Sequence, residues 1–253
     1  MKSRLAKFLI RGATALITLS SIALADVHLV YYVDIFGPPN PKTTPTASTT
    51  LPVGPATLAP ANTSLSVLVP MFNQASDPNL GFKYQLTGVN IELDWSTLGS
   101  LKVFNITEKA VPFTKGTTSI PLTITAPSIS VYANAATGPI SGRAACCLAV
   151  TTFPGLTKTG AAVDNVAPVN YGLYEGNGVK TLTFGVASGV GFYGGSSPGD
   201  TLFFGGSATA GGILKVDYSY IEVKAVEAGT ISLLLVMLAG FAGFAGVLKK
   251  KLA

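Results

Sequence analysis

A few short stretches hold the residue types that chemistry needs. Cys146 and Cys147 are adjacent, and they are the chain's 2 cysteines. Neighbouring side chains diverge in an extended backbone, so a bond between them would close a strained ring. They lie in AACCLAVTTF, an apolar run with strand character, and are expected there as small buried hydrophobes. An intermolecular disulfide in an oxidising compartment is the secondary reading. The pair is too few for a zinc site, and the chain's 1 histidine, His28, is distant in sequence. GVGFYG, residues 189–194, matches the dinucleotide fingerprint G-x-G-x-x-G. That motif works only where a helix N-terminus follows to bind pyrophosphate. GSSPGD follows here, and Gly195, Pro198 and Gly199 forbid the helix.

Glu92 and Asp94 share one face of a strand-like run, and paired carboxylates are what glycoside hydrolysis uses. Acids on the polar face of a half-buried strand are ordinarily just solvated. With one histidine and no supporting motif, no Ser-His-Asp or Cys-His arrangement is visible. No catalytic, cofactor-binding or metal-ligating residue is therefore assigned, no cofactor is expected, and the chain is predicted not to be an enzyme. Asn62-Thr63-Ser64 and Asn105-Ile106-Thr107 fit the N-glycosylation sequon, which matters only in a glycosylating host. Tyr171, Tyr174 and Tyr193 fall in Gly-rich, loop-like sequence. They are the candidates for stacking on a sugar, with packing over the sheet ends as the plainer expectation.

The elements around these residues begin with the two ends. MKSRLAKFLIRGATALITLSSIALAD has a basic start, Lys2, Arg4, Lys7 and Arg11, then an apolar run to Leu24. Ala23 and Ala25 form a small-x-small cleavage site that places the mature start at Asp26. Residues 1–25 are read as a secretory signal peptide. At the other end, Gly229 to Leu248 is a run of 20 residues without a charge, closed by Lys249, Lys250 and Lys251. As a helix this run is about 30 Å long, which matches a bilayer's hydrocarbon core. A transmembrane helix is predicted over about 230–248. The lysines hold its end in the cytoplasm and leave the body outside.

These ends also account for the charge. The chain carries 17 Lys+Arg and 12 Asp+Glu, for a net +5. Seven of those basic residues sit in the signal peptide and the lysine cap, so the remainder is slightly acidic. The basic balance reflects targeting, and no nucleic-acid partner is expected.

Between the ends, VHLVYYVDIF reads as a short strand able to pair at a sheet edge. Residues 37–62 are rich in proline, threonine and alanine and read as an exposed linker. The span 26–63 is thus a strand plus linker, and 64–226 is one domain. Its strands alternate with period two: Val89, Ile91, Leu93 and Trp95 against Asn90, Glu92 and Asp94, and Leu214, Val216, Tyr218 and Tyr220 against Lys215, Asp217 and Ser219. Ile120, Leu122 and Ile124 alternate with Pro121, Thr123 and Thr125. Pro121 lacks an N–H, which predicts an edge strand or a strand that starts there. SISVYA and KTLTFGVA repeat the pattern. The fold class is all-β, an antiparallel β-sandwich compatible with a jelly-roll-like topology.

The layout resembles that of bacterial PEP-CTERM proteins. These carry a signal peptide, a surface domain and a tail with a Pro-Glu-Pro motif, an apolar helix and a basic cluster. In residues 227–253 and the position before them, Glu227 matches the glutamate and Gly229-Thr230 the pair that follows. Val226 and Ala228 stand where the family has prolines. The resemblance implies handling by a membrane-embedded sorting protease, an exosortase, acting at Val226–Thr230, and a setting of exopolysaccharide production in Gram-negative bacteria. SVLVPMFNQ…LTGVNIEL and DTLFFGGSATAGGILKVDYSYIEV are similar to the edges of the choice-of-anchor E domain, which has no established activity. The expectation is an exported, tail-anchored or tail-sorted structural protein of the cell surface or extracellular matrix, associated with exopolysaccharide. The alternative is a permanently anchored ectodomain that acts as a carbohydrate-binding or adhesin module.

Overall fold

The computed structural model describes residues 26–37, 47–51, 54–74, 82–177 and 180–224. The signal-peptide positions Ala23 and Ala25 lie outside the described residues, as do Val226, Glu227, Ala228, Gly229, Thr230 and Lys249 to Lys251. No helix among the described residues is long and apolar enough to cross a membrane.

The described chain is almost all strand, as the alternation predicts. Its elements are β1 (Val27–Asp34), β2 (Ala59–Pro60), β3 (Ser64–Pro70), β4 (Phe72–Asn73), β5 (Phe82–Asn105), β6 (Val111–Ala126) and β7 (Ile129–Ala136), then β8 (Ile140–Ala144), β9 (Val150–Asn165), β10 (Glu175–Gly176), β11 (Thr181–Ser188), β12 (Phe192–Ser196) and β13 (Leu202–Lys224). One 5-stranded sheet runs β1-β13-β5-β9, with β2 also on β13. A 6-stranded sheet runs β12-β6-β11-β3, with β7 and β8 along β6. These pairings are antiparallel; the two-residue β4–β10 pair is parallel.

β5 and β13 are the long members, of 24 and 23 residues. They pair along their whole length, from Phe82↔Lys224 to Asn105↔Leu202, with one register shift at Ser219/Tyr220. At about 3.4 Å per residue such a ladder is roughly 75 Å long. The end with Lys224 is the proximal end, and the end with Leu202 the distal end. VHLVYYVDIF does join an edge: β1 pairs with β13 from Val27↔Tyr220 to Asp34↔Ile213. Residues 47 and 48 tie the neighbouring edges of the two sheets together. Ala47 N donates to Leu68 O at 2.9 Å, while Ser48 and Tyr32 exchange backbone bonds at 2.7 and 2.8 Å.

Both sheets turn their apolar faces into one core. Val89, Ile91, Leu93, Leu214, Val216 and Tyr218 come from the long-strand sheet, and Val67, Val69, Ile120, Leu122, Ile124 and Phe184 from the other. An aromatic chain closes the proximal end, with Tyr31–Tyr218 at 6.1 Å, Phe72–Tyr220 at 5.2 Å and Tyr84–Tyr220 at 5.4 Å between centroids. The Tyr218 hydroxyl donates to Pro70 O at 3.0 Å. A second, smaller core of Leu101, Val103, Phe113, Ala144 and Leu202 fills the distal end. Buried Thr97, Thr118 and Thr137 lie between the two cores along the strands. A Cβ on Gly99 would strike the Thr118 hydroxyl, so glycine lets the sheets close together at this polar waist.

Pro121 corrects one expectation. It lies inside β6, a central strand, and neither at an edge nor at a strand start. β12 pairs with β6 up to Ser119, and β11 takes over from Leu122. Gly189 N donates to Pro121 O at 2.8 Å at that hand-over. The carbonyl and the missing N–H of one strand residue face the same neighbour, so the proline sits where no ladder donor is required.

β9 is the free edge of the long-strand sheet, and Pro154-Gly155 interrupt it. The register shifts there between Gly99↔Leu156 and Leu101↔Phe153, and Gly155 has φ 69°. Such a bulge with proline blunts an edge against pairing with other chains.

Gly206, at φ 149°, sits so close to β5 that a Cβ would overlap the Ser100 carbonyl oxygen. Gly206→Ala is expected to destabilise the fold by about 2–4 kcal/mol, read as a lower urea midpoint.

Candidate functional site

Two surfaces of the long-strand sheet gather the residues singled out in the sequence. The first is the proximal outer face. Glu92 and Asp94 project there from β5, as the alternation requires, and Lys215 lies opposite Glu92. Lys215 Nζ is 3.1 Å from Glu92 Oε2. Asp94 makes no such pair, and its carboxyl is held above its usual range by burial first and by Glu92 second, with Lys215 pulling the other way. His28 Nδ1 lies 2.9 Å from Asp217 Oδ1, and both are on this face. Asp34 is occupied structurally: its carboxylate accepts Phe36 N at 3.2 Å, and Thr57 N and Oγ1 at 2.9 and 2.7 Å. Glu92 is thus neutralised by Lys215 at 3.1 Å, and this pair of acids has no histidine between them. Among the described residues, no three His, Cys, Asp or Glu side chains converge as metal ligands.

The second surface is the distal tip, where the loops 106–110 and 145–149 meet. Asn105 organises it. Its side chain is fully buried, and its amide donates to Lys109 O at 2.8 Å and Ala145 O at 2.9 Å. Its carbonyl oxygen accepts Thr107 N at 2.9 Å. The sequon at Asn105 is therefore a loop-building motif with no amide free to modify, whereas Asn62 is exposed at φ 61°. The β5–β9 register continues into the loops through Asn105 N to Ala149 O at 3.2 Å and Cys147 N to Thr107 O at 2.8 Å.

The cysteines differ from expectation. They lie beyond the end of β8 in a turn, with Cys146 half-buried and Cys147 exposed, and both are free. Cys147 and Leu148 have φ 71° and 61°, so the chain reverses through two left-handed residues. Apolar composition suggested a core strand, but the hairpin-like reversal takes the pair out of it. A hydrogen bond with Cys146 raises the Cys147 thiol, and burial and the Cys146 charge act in the same direction.

Tyr174 follows the plainer expectation of packing and is not open for stacking on a sugar. It is fully buried in the main core, and its hydroxyl donates to Pro127 O at 2.7 Å. Burial pushes this phenol up to about 12. Tyr171 packs against the main core and Tyr193 against the distal one. GVGFYG runs into β12, and a Cβ on its first glycine, Gly189, would strike the Pro121 ring. A depression of about 350 Å³ lined by Pro112, Phe113, Thr114, Ser196, Ser197 and Pro198 holds no titratable side chain.

The feature that only the fold assembles is a polarity along the long axis. Beyond the row Trp95–Gly212–Gly160, the distal half holds Lys102, Lys109, Lys115, Arg143 and Lys158 against Glu108 and Asp200. The proximal half holds Lys83, Lys180, Lys215 and Lys224. Against them stand Asp26, Asp34, Glu92, Asp94, Asp164, Glu175, Asp217 and Glu222. No protein-family model, curated protein or solved structure matches the chain.

Asp94 provides a pH test. A folded-state value above the ordinary one, near 3.9, means that its stabilising effect is full below that pH. It is lost as pH rises through the higher folded value. Asp94→Asn is expected to raise Tm at neutral pH, with the gain vanishing in acid below about pH 4. Asn105→Ala strands several tip carbonyls and is expected to cost about 3 kcal/mol in urea unfolding.

Proposed function

We propose that this chain is an exported, non-catalytic surface protein whose antiparallel β-sandwich is displayed outside the cytoplasmic membrane and handled through its C-terminal tail. Its role is structural or adhesive in an exopolysaccharide-containing matrix. One observation carries the reading. Val27 pairs with Tyr220, and Thr87 Oγ1 donates to Asp26 Oδ1 at 3.0 Å. The proposed mature start therefore lies at the proximal end, where β13 also ends at Lys224. Leader cleavage and tail attachment at one end leave the distal end, roughly 75 Å away, free to meet partners. The sandwich description rests on the shared core between two antiparallel sheets. The non-catalytic reading rests on the ion-paired Glu92 and on His28 bonding Asp217 rather than Glu92 or Asp94.

The alternative, a permanently anchored carbohydrate-binding ectodomain, is favoured by one feature. Tyr132 and Phe192 are 62% and 61% exposed and flank β6 opposite Thr123 and Ser119, where flat rings are open to a sugar face.

Mass analysis of the terminal peptides from the native host tests the proposal. A first residue at Asp26 is expected. The last is expected either near Glu227–Thr230, for a processed tail, or at Ala253 in the membrane fraction, for a lasting anchor. An uncleaved Met1 start in the soluble cell interior would reject export.

A further inference from the structure

We propose that the distal tip is a docking surface for an anionic phospholipid membrane, at the end of the molecule opposite the tail. The tip presents apolar side chains in register on one face. Val150, Phe104 and Phe203 are cross-strand neighbours, with Val150 56% and Phe203 58% exposed. The Phe104 and Phe203 rings lie 6.4 Å apart. One step further out, Ile106 and Leu148 are 47% and 68% exposed. An exposed apolar row of this kind, with two more exposed aliphatic side chains in the adjoining loops, marks an interaction site rather than ordinary surface.

The backbone is arranged to present it. Cys147 and Leu148 both hold left-handed conformations at φ 71° and 61°. For residues other than glycine and asparagine this costs about 1–2 kcal/mol each. Such strain persists where the surrounding structure imposes it, and here the Cys147 N to Thr107 O bond and the buried Asn105 do so. The result holds a leucine out at the apex.

Charge selects the occupant. Lys102 is exposed one row below Phe104 on the same face, beside Thr152 and Gly205. Lys109 lies in the tip loop, and Arg143 reaches Ala110 O at 3.3 Å on its other side. Glu108 in the same loop and Asp200, two residues before Leu202, are the acids of this end. Aliphatic side chains that enter the acyl boundary, with basic groups at headgroup level, are the chemistry of interfacial membrane binding. A second copy meeting tip to tip would set basic residues against basic residues. A glycan would gain little from the branched aliphatic apex of Ile106, Leu148 and Val150.

The proposal takes only its orientation, one membrane at each end, from the tail-anchored reading, and the test separates the two. The full chain is reconstituted into phosphatidylcholine vesicles and mixed with fluorescent vesicles of phosphatidylcholine, with or without phosphatidylglycerol. The expected result is selective capture of the phosphatidylglycerol vesicles, weakened by salt. Leu148→Asn keeps a residue that tolerates the left-handed conformation, and is expected to reduce capture about tenfold. Lys102→Gln or Lys109→Gln is expected to reduce it about fivefold each. Absent capture, equal capture of phosphatidylcholine vesicles, or capture unchanged by Leu148→Asn overturns the proposal. Retention of an anionic polysaccharide without vesicle capture overturns it too and assigns the tip to a glycan. Failure of the chain to float with the first vesicles rejects the tail reading instead. The tip is then read by direct flotation with phosphatidylglycerol vesicles: flotation lost in Leu148→Asn supports it, and no flotation overturns it.

Discussion

The β5–β13 ladder is the interaction on which the rest of the structure depends. Two strands of 24 and 23 residues pair from end to end. Every other member of that sheet is registered on one of them: β1 and β2 on β13, and β9 on β5. The same two strands supply one wall of both cores, so the molecule is an elongated body with a polar waist, and its two ends are chemically unlike. A ladder this long tolerates little side-chain bulk where backbone approaches closely within it or against it. Gly206 and Gly211 lie where a Cβ would overlap the Ser100 and Thr57 carbonyl oxygens.

The second sheet is organised differently. β6 is the hub, but its neighbours change along its length, with β11 and β7 towards the proximal end and β12 and β8 towards the distal end. This change of partners accommodates Pro121 in mid-strand. It also lets the sheet serve two cores, since Ile120, Leu122 and Ile124 fill the main one while Phe113 fills the other. The tip then rests on a single buried polar side chain, Asn105, whose amide ties together the two loops that follow β5 and β8.

The acidic proximal half and the basic, apolar distal half follow from the ladder, since charges scattered along the chain are sorted by position along the axis. A long-range separation of this kind acts on orientation and encounter more than on fold stability. It fits a body proposed to be held at one end and to meet a partner at the other.

Period-two alternation was enough to identify the inward faces. Val89, Ile91 and Leu93, and Leu214, Val216 and Tyr218, are buried as their spacing requires, because a pleated strand has only two faces and one must leave water. The edge role of VHLVYYVDIF was legible for the same reason. Local pattern does not carry the identity of a strand's neighbours. The central position of Pro121, the core role of Tyr174 and the placing of Cys146 and Cys147 in an outward turn all depend on partners far away in sequence. The tip patch is the clearest case. Phe104, Val150 and Phe203 are each ordinary residues in a strand pattern, and they become one surface only because β9 and β13 flank β5 in a particular register. Composition and alternation determined which side chains leave water, while long-range hydrogen-bond register decided which of the remainder stand together.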